Sequence, residues 1–131
     1  MKLLLDTHTL VWWFRWSPEL TRLARDALND LDNEIFVSVA SAWEMAIKIG
    51  KGSKGGWPEA EVVLNDFERW MVEAGLTMIP ITVDHVRRAG LMQSPHRDPF
   101  DRLLAAQAIA GCLTLVTSVT KMASLGAPCL W

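Results

Sequence analysis

Residues 2–9 carry the sequence KLLLDTHT, in which a run of leucines ends abruptly at Asp6. Three consecutive leucines leave no polar face for water, which is typical of a central strand covered on both sides in a parallel sheet. Asp6 then stands at the carboxyl end of that strand, where open α/β sheets bind their ligands. Asp is also a good N-cap, so the residue would equally well begin the next helix. These local residues leave both interpretations of Asp6 open.

Short β-rich runs alternate with helical apolar patterns along the rest of the chain. The predicted strands lie at residues 2–5, 35–37, 76–81, 113–117 and 128–130. The predicted helices lie near residues 10–16, 18–31, 41–50, 58–74, 82–91 and 98–111, with a short one around residue 122. Such alternation implies crossover connections and a mainly parallel sheet. We therefore expect a three-layer α/β sandwich, formed by residues 1–131 as a single domain.

Composition limits the classes of function. Half of the 131 residues are hydrophobic, 21% are charged and the net charge is −2, so the chain should fold but has no global attraction for nucleic acid or anionic lipid. A polyanion would have to be held locally. The two cysteines, Cys112 and Cys129, fit no metal or redox spacing and are expected to be small buried hydrophobes. The chain contains no recognisable targeting or membrane-spanning segment, which predicts a cytoplasmic protein.

Four acids fall where the predicted strands end or the following helices begin: Asp6, Glu44, Asp98 and Asp101. In a parallel sheet these positions share one edge, so the carboxylates are expected to converge. Carboxylates at close range repel one another unless a cation lies among them. Their hard oxygen atoms suit Mg²⁺ or Mn²⁺, ions that bind phosphate and activate water.

Each acid also has a purely structural interpretation. Glu44 stands four residues before Lys48, the spacing of a solvated helix ion pair. Asp98 precedes Pro99 as an N-cap would, and we favour that role for it. Asp101 lies in the first turn of the same helix, where the helix dipole favours a negative charge. Taken singly, Glu44 and Asp101 are better explained by these structural roles.

Several segments together change that balance, because they resemble PIN-domain proteins and most closely the VapC-type toxins of bacterial toxin–antitoxin pairs. The similarity spans nearly the whole chain, in the same order and with similar separations. The segments are LLLDTHTLVWW (residues 3–13), SAWEMAIKIGKG (41–52), HRDPFDRLLAAQA (96–108), LVTS (115–118) and GAPCLW (126–131).

The resemblance implies a parallel sheet with helices on both faces, metal-dependent cleavage of RNA, and neutralisation by a partner antitoxin. It also suggests a homodimer. The family's three acids match Asp6, Glu44 and Asp101, which are therefore the expected ligands of Mg²⁺ or Mn²⁺ and the expected catalytic residues. Asp98 would be an auxiliary acid, near enough to orient a water or a second cation.

One position departs from the family pattern. Many members carry an acid two residues after the threonine of the LVT segment, and here that threonine is Thr117 and the position holds Val119. The change predicts weaker metal binding and lower activity, and leaves open whether one or two ions bind.

The alternative function is a catalytically inactive PIN domain that binds antitoxin or RNA without cleavage. A phosphotransfer enzyme with Asp6 as nucleophile is disfavoured, because such enzymes usually carry a second Asp where this chain has His8.

Other residues are candidate contacts for RNA or a protein partner. Thr7, Lys48 and Arg97 lie beside the proposed ligands and are the preferred RNA contacts, with Lys51, Lys54 and Arg102 as further cations.

Trp43 and Trp70 are expected on buried helix faces. Trp12, Trp13 and Trp16 are too crowded to point inward together, so some should form an exposed patch for a partner helix, or less readily a platform for RNA bases.

Overall fold

The structure, a computed structural model, describes residues 1–51 and 56–131, and its core is one sheet of five parallel strands in the order β3-β2-β1-β4-β5. The strands are β1 (Lys2–Leu5), β2 (Glu34–Ser38), β3 (Thr77–Ile79), β4 (Thr114–Val116) and β5 (Cys129–Leu130). This arrangement confirms the predicted α/β sandwich with its parallel central sheet.

Helices cover both faces of the sheet. They are α1 (Thr7–Phe14), α2 (Arg22–Asn29), α3 (Val39–Gly50), α4 (Pro58–Asn65), α5 (Phe67–Glu73), α6 (Val83–Leu91) and α7 (Pro99–Gly111), followed by a 3₁₀ helix (Thr120–Leu125). No helix in the described part of the chain is long and apolar enough to cross a membrane. Residues 52–55, which include Lys54, lie outside the described residues.

The leucines of β1 join the two halves of the core. Leu3, Leu4 and Leu5 are all fully buried. Leu3 and Leu5 belong to a first core cluster with residues of α1, α2, α3, α4 and α5, whereas Leu4 belongs to a second cluster with α7 and the 3₁₀ helix. Because successive side chains of a strand point to opposite faces, a fully apolar run is what a strand between two helical layers requires.

The register of the sheet determines which residues meet at its carboxyl edge. Leu5 pairs with Val37 of β2 on one side and with Val116 of β4 on the other. The next residues along these strands, Asp6, Ser38 and Thr117, therefore lie side by side. This edge is where the candidate site is formed.

The prediction of one helix over residues 58–74 is wrong, because the chain leaves helical geometry at Asp66, with φ −127° and ψ 38°. Asn65 and Asp66 are poor helix-interior residues, since short polar side chains favour turns and caps. The break lets α4 and α5 each pack an apolar face on the first core cluster. Ala74, expected on the buried face, caps α5 and is exposed.

The second helix also begins later than Ser17-Pro18 suggests. Thr21 is its N-cap, and the Thr21 hydroxyl accepts a hydrogen bond from the Ala24 N–H at 3.2 Å. The helix buries Ala24 and Leu28, whereas Leu23 and Leu31 are exposed.

Three predictions of burial are wrong. Cys112 and Cys129 are exposed, because Cys112 follows the end of α7 in left-handed conformation and Cys129 lies in the two-residue edge strand β5. Trp43 is 58% exposed, because α3 turns Ser41, Glu44 and Met45 inward instead. Trp70 is half-buried against the first core cluster.

Candidate active site

Buried polar side chains are concentrated at the carboxyl edge of the sheet. Among the described residues, all but one of the buried polar or charged side chains belong to this edge or to the helices that begin there, and Gln107 is the exception. The edge residues are Asp6, Thr7, Thr9, Ser38, Ser41, Glu44 and Thr117. Most of these buried polar groups have hydrogen-bond partners, and the Thr9 hydroxyl is the one at this edge that has none among the described residues, so the edge is a largely preorganised polar site.

Asp6 is the N-cap of α1 and also accepts a hydrogen bond from the neighbouring strand end. Its Oδ1 accepts a hydrogen bond from the Thr9 N–H at 2.9 Å, which makes Asp6 the N-cap of α1 and starts that helix at Thr7 instead of residue 10. Its Oδ2 accepts a hydrogen bond from the Thr117 hydroxyl at the end of β4. The same hydroxyl accepts the Val119 N–H at 3.1 Å, which fixes its orientation. Asp6 is therefore held rigidly at the edge.

Burial raises the pKa of Asp6, and the hydrogen bonds from Thr117 and Thr9 only partly oppose that effect. Asp6 is 3% exposed, and among the described residues no Lys, Arg or His forms an ion pair with it. A buried carboxylate without a cationic partner is costly to ionise. A bound cation would offset that cost, so the donor atoms here fit a hard divalent ion.

Glu44 is held on the inner face of α3. Its Oε2 accepts a hydrogen bond from the Thr7 hydroxyl at 2.5 Å, and that hydroxyl lies 3.2 Å from the Ser41 Oγ. Its Oε1 lies 2.6 Å from the Lys48 Nζ, the ion pair expected from the four-residue spacing. Thr7 is itself 2% exposed, so in this structure its hydroxyl positions Glu44.

Asp101 lies in the first turn of α7 with His96 as its partner. The His96 Nε2 and Asp101 Oδ2 are 2.6 Å apart, and both side chains are largely shielded from solvent. Asp98 is the N-cap of this helix, as favoured from the sequence, and its Oδ1 accepts the Phe100 and Asp101 N–H groups at 3.0 Å. Burial raises the pKa of Asp101, and the negative charges of Asp98 and Asp6 raise it further.

Electrostatic effects link the three acids although each has its own protein partner. The charge of Asp6 acts on Asp101, and the charges of Asp6 and Glu44 both act on His8. Burial nevertheless lowers the pKa of His8, and Lys48 lowers it further. Across residues 1–51 and 56–131, no three His, Cys, Asp or Glu side chains are grouped so that they could hold a metal ion. The acids share one region but do not form a closed cage.

Sequence reasoning missed two side chains that hold the acids, Thr117 and His96. The signal for Thr117 was present, because it directly follows β4 and β4 was expected in the same parallel sheet as β1. His96 forms no metal-ligand spacing with the other two histidines, so the sequence carried no functional signal for it. His96 stands five residues before Asp101, and the turn before α7 lies between them. Helical spacing therefore could not predict that the two side chains meet.

The candidate RNA-binding cations divide into two groups. Lys48 and Arg97 have accessible side chains at or near the site, and Lys48 lies 5.2 Å from the Trp57 ring centroid. Arg102 has a structural role, because its guanidinium donates to the backbone carbonyls of Ala89, Met92 and His96 at 2.6–3.0 Å. Those hydrogen bonds hold the turn between α6 and α7.

A family model for the PIN domain matches residues 3–126, which is nearly the whole chain. The chain belongs to the PIN domain family. This match confirms the family that the sequence motifs suggested. No curated protein sequence is significantly similar to this PIN domain.

Solved structures with the same fold include proteins of toxin–antitoxin systems. VapBC2 from Rickettsia felis, bound to a DNA fragment from its promoter, is 20% identical with a TM-score of 0.71, over 99% of this chain and 98% of that chain. FitAcB from Neisseria gonorrhoeae is 16% identical with a TM-score of 0.67, over 98% and 96%. VapBC-5 from Mycobacterium tuberculosis, a member of the VapBC family of toxin–antitoxin systems, is 16% identical with a TM-score of 0.61, over 98% and 95%.

The raised pKa of Asp6 predicts a pH-dependent stability for the PIN domain in the absence of metal. Between the ordinary value of 3.8 and the raised native value, the native state binds more protons than the unfolded chain. The free energy of unfolding should therefore fall as the pH rises through that interval and level off above it. Urea denaturation in EDTA at a series of pH values measures this slope.

Two variants isolate the contribution of Asp6 to that slope. Asp6→Asn keeps an N-cap side chain without the charge, so it should flatten the slope and raise the stability at neutral pH. Thr117→Val should steepen the slope, because it removes a hydrogen bond that favours the charged carboxylate. Identical pH profiles for the parent protein and Asp6→Asn would contradict the assignment.

Proposed function

We propose that this PIN domain is a Mg²⁺- or Mn²⁺-dependent endoribonuclease and the toxin of a toxin–antitoxin pair. The observation that carries the proposal is the buried Asp6 carboxylate at the carboxyl end of the central strand, which has a raised pKa and no ion-pair partner among the described residues. The charge of Asp6 acts on Asp101, and Glu44 is held by the hydroxyl of Thr7, the residue after Asp6. Family membership and the likeness to toxin–antitoxin structures support the assignment.

Asp6, Glu44 and Asp101 would hold the metal through carboxylate oxygens. A bound Mg²⁺ or Mn²⁺ supplies charge stabilisation for the phosphate oxygens and lowers the pKa of a water molecule. Thr117 and Thr9 fix the orientation of Asp6 through the hydrogen bonds described above. Asp98 contributes negative charge beside Asp101.

The other side chains of the site would bind and orient the RNA. Thr7 and His96 hold Glu44 and Asp101 from the side of the protein. Lys48 and Arg97 provide positive charge near the acids, which a chain of net charge −2 needs in order to attract phosphates. Thr7, the third candidate RNA contact, is 2% exposed and bonded to Glu44, so in the proposed site it would act on the RNA only by positioning Glu44.

The proposal predicts that Asp6→Asn and Asp101→Asn abolish RNA cleavage while the fold is retained. Changes in the outer shell of a metal site alone cost about 10–100-fold, so losing a ligand charge should cost at least as much. The measurement is cleavage of single-stranded RNA with Mg²⁺ or Mn²⁺, with folding checked by circular dichroism. Induced expression in a bacterial host gives a second readout, because only the parent protein should arrest growth.

Asp98→Asn is the matched control, because it makes the same substitution on the same helix and preserves the N-cap. It should change the rate by only a few-fold. Equal cleavage by the parent protein, Asp6→Asn and Asp101→Asn would reject the proposal.

Val119 supports a second candidate function, a PIN domain that binds antitoxin or RNA without cutting. Its side chain packs half-buried against the second core cluster, and its backbone N–H is bonded to the Thr117 hydroxyl. An acid at this position would lie close to the partner of Asp6. With valine there, the site has one carboxylate fewer than the family pattern provides.

Val119→Asp distinguishes the two functions. If the site is otherwise competent, the variant should bind Mn²⁺ at least about tenfold more tightly and cleave RNA faster, because it adds a charged ligand. Calorimetric titration with Mn²⁺ measures the affinity. Val119→Asn has the same burial cost without the charge and should show no gain. No metal binding by the parent protein and no response to Val119→Asp would favour the binding-only function.

We further propose an antitoxin protein as a partner. The support is the likeness to the VapBC and FitAB systems, which were solved as complexes and in part with DNA. Trp16, which is 75% exposed at the end of α1, offers an apolar contact of the kind that a partner helix uses.

A homodimer is proposed from the surface of α6. No residue of α6 is buried, and Val83, Val86 and Leu91 are 72%, 55% and 69% exposed. A groove of about 800 Å³ lies between this helix, α7 and Trp43 of α3. In a twofold-symmetric dimer, the exposed apolar side chains of α6 in each copy could fill the groove of the other copy. Both apolar surfaces would then be covered.

Val86→Glu should therefore convert the dimer into a monomer, because it places a charge in the proposed interface. Sedimentation equilibrium at micromolar protein concentration measures the change. Val72→Glu on α5 is the control, since Val72 is 74% exposed and lies outside the groove. A parent protein that sediments as a monomer at all concentrations would rule out the dimer.

A further inference from the structure

Four rings from separate parts of the chain contact one another in a continuous series, here called the aromatic row: Trp57, His8, Trp12 and Trp131. His8 stacks on Trp57 with ring centroids 4.5 Å apart and an angle of 30° between the planes. Trp12 lies 5.7 Å from His8 and 5.7 Å from Trp131, and both of these pairs are tilted by about 50°. The row joins the start of α4, the face of α1 and the end of β5.

The aromatic row runs along the candidate active site. His8 is the second residue after Asp6. At the other end, Trp131 directly follows Leu130, whose carbonyl accepts the Thr117 N–H at 3.1 Å. Thr117 in turn donates its hydroxyl to Asp6. His8 and Trp131 are therefore both connected to Asp6, the expected metal ligand, His8 along the backbone and Trp131 through the hydrogen bonds of Thr117.

The rings of the row are half-buried, so each offers part of its surface to solvent. The two contacts of Trp12 are tilted, which means that no parallel ring closes its faces. Trp13 points elsewhere, since its indole N–H donates to Asn29 at 3.2 Å and its ring contacts Phe14. The two tryptophans of α1 thus diverge, and Trp12 contacts His8 and Trp131.

Positive charge borders the row at the end formed by Trp57. The Lys48 Nζ lies 5.2 Å from the Trp57 centroid and 2.6 Å from the Glu44 carboxylate. These features correspond to the parts of an unpaired nucleotide. The aromatic rings can stack on the base, the Lys48 cation can contact a phosphate, and the proposed metal site would act on the bond to be cleaved. An apolar protein segment would make no use of the cation.

We propose that the aromatic row is a nucleobase-binding site, in which an unpaired base of single-stranded RNA stacks on Trp12 and Trp131 while Lys48 contacts a neighbouring phosphate. The inference rests on the proposed ribonuclease function and deepens it, because it makes the substrate an unpaired segment. Base pairs of a duplex do not expose their faces, so such a site excludes double-stranded RNA.

The test is binding of a fluorescein-labelled single-stranded RNA, measured by anisotropy in EDTA so that cleavage does not interfere. Trp12→Leu and Trp131→Leu should each weaken binding about tenfold, the usual effect of removing one stacking ring. Trp12→Phe retains a ring and should restore most of the affinity. Trp16→Leu is the control, because Trp16 lies just beyond the end of α1 and outside the row, and it should leave the affinity unchanged.

A second RNA that carries abasic sites separates stacking from phosphate contacts. The parent protein should bind this RNA about as weakly as Trp12→Leu binds the intact RNA, and Trp12→Leu should cause no further loss. Undiminished binding of intact RNA by both leucine variants, with unchanged melting temperature, would mean that the row is internal packing only. Weakened binding of an antitoxin with unaltered RNA binding would assign the row to a protein partner instead.

These outcomes are separate from those of the cleavage experiment. Tryptophan-dependent RNA binding by a protein that does not cut would overturn the ribonuclease function and retain the base-binding site. Cleavage that is insensitive to Trp12 and Trp131, with unaltered binding, would overturn the base-binding site alone.

Discussion

The buried carboxylate of Asp6 is the constraint on which the rest of the site depends. A charged group at the end of a fully apolar strand loses most of its hydration, and that loss opposes ionisation. One hydrogen bond from the Thr9 backbone N–H and one from the Thr117 hydroxyl stabilise the charged carboxylate. Among the described residues, no ion pair does so. This incomplete compensation is the observation on which the proposed cation-binding role of Asp6 rests.

The two oxygens of the Asp6 carboxylate make separate contacts. One oxygen faces the first turn of α1, and the other faces the neighbouring strand. Asp101 follows a similar arrangement, since Asp98 caps α7 and leaves the Asp101 carboxylate to His96. The starts of α1 and α7 at this edge of the sheet are thus capped by Asp6 and Asp98, while the Asp101 side chain takes no part in capping.

The three acids differ in how firmly the protein holds them. Asp6 is fixed by hydrogen bonds from uncharged donors, whereas Glu44 is engaged by the Lys48 cation and Asp101 by His96. This difference explains why the acids occupy one region without forming a group that could hold a metal as placed. In the proposed metal site, Asp6, Glu44 and Asp101 would hold the ion, and Glu44 and Asp101 would have to give up their present contacts with Lys48 and His96 to do so.

Local sequence patterns determined the strands, most of the helix starts, the Glu44–Lys48 ion pair and the capping by Asp98, because each depends on residues within one or two turns. The all-leucine strand was enough to predict a parallel sheet with helices on both faces, and the family motifs pointed to the three acids. Tertiary structure alone decided that Thr117 meets Asp6 across 111 residues, that Trp43 faces solvent, and that Trp12, Trp57 and Trp131 join in one row. The physical reason is that periodicity fixes which face of an element is apolar, whereas strand register and helix packing fix which residues of distant elements become neighbours.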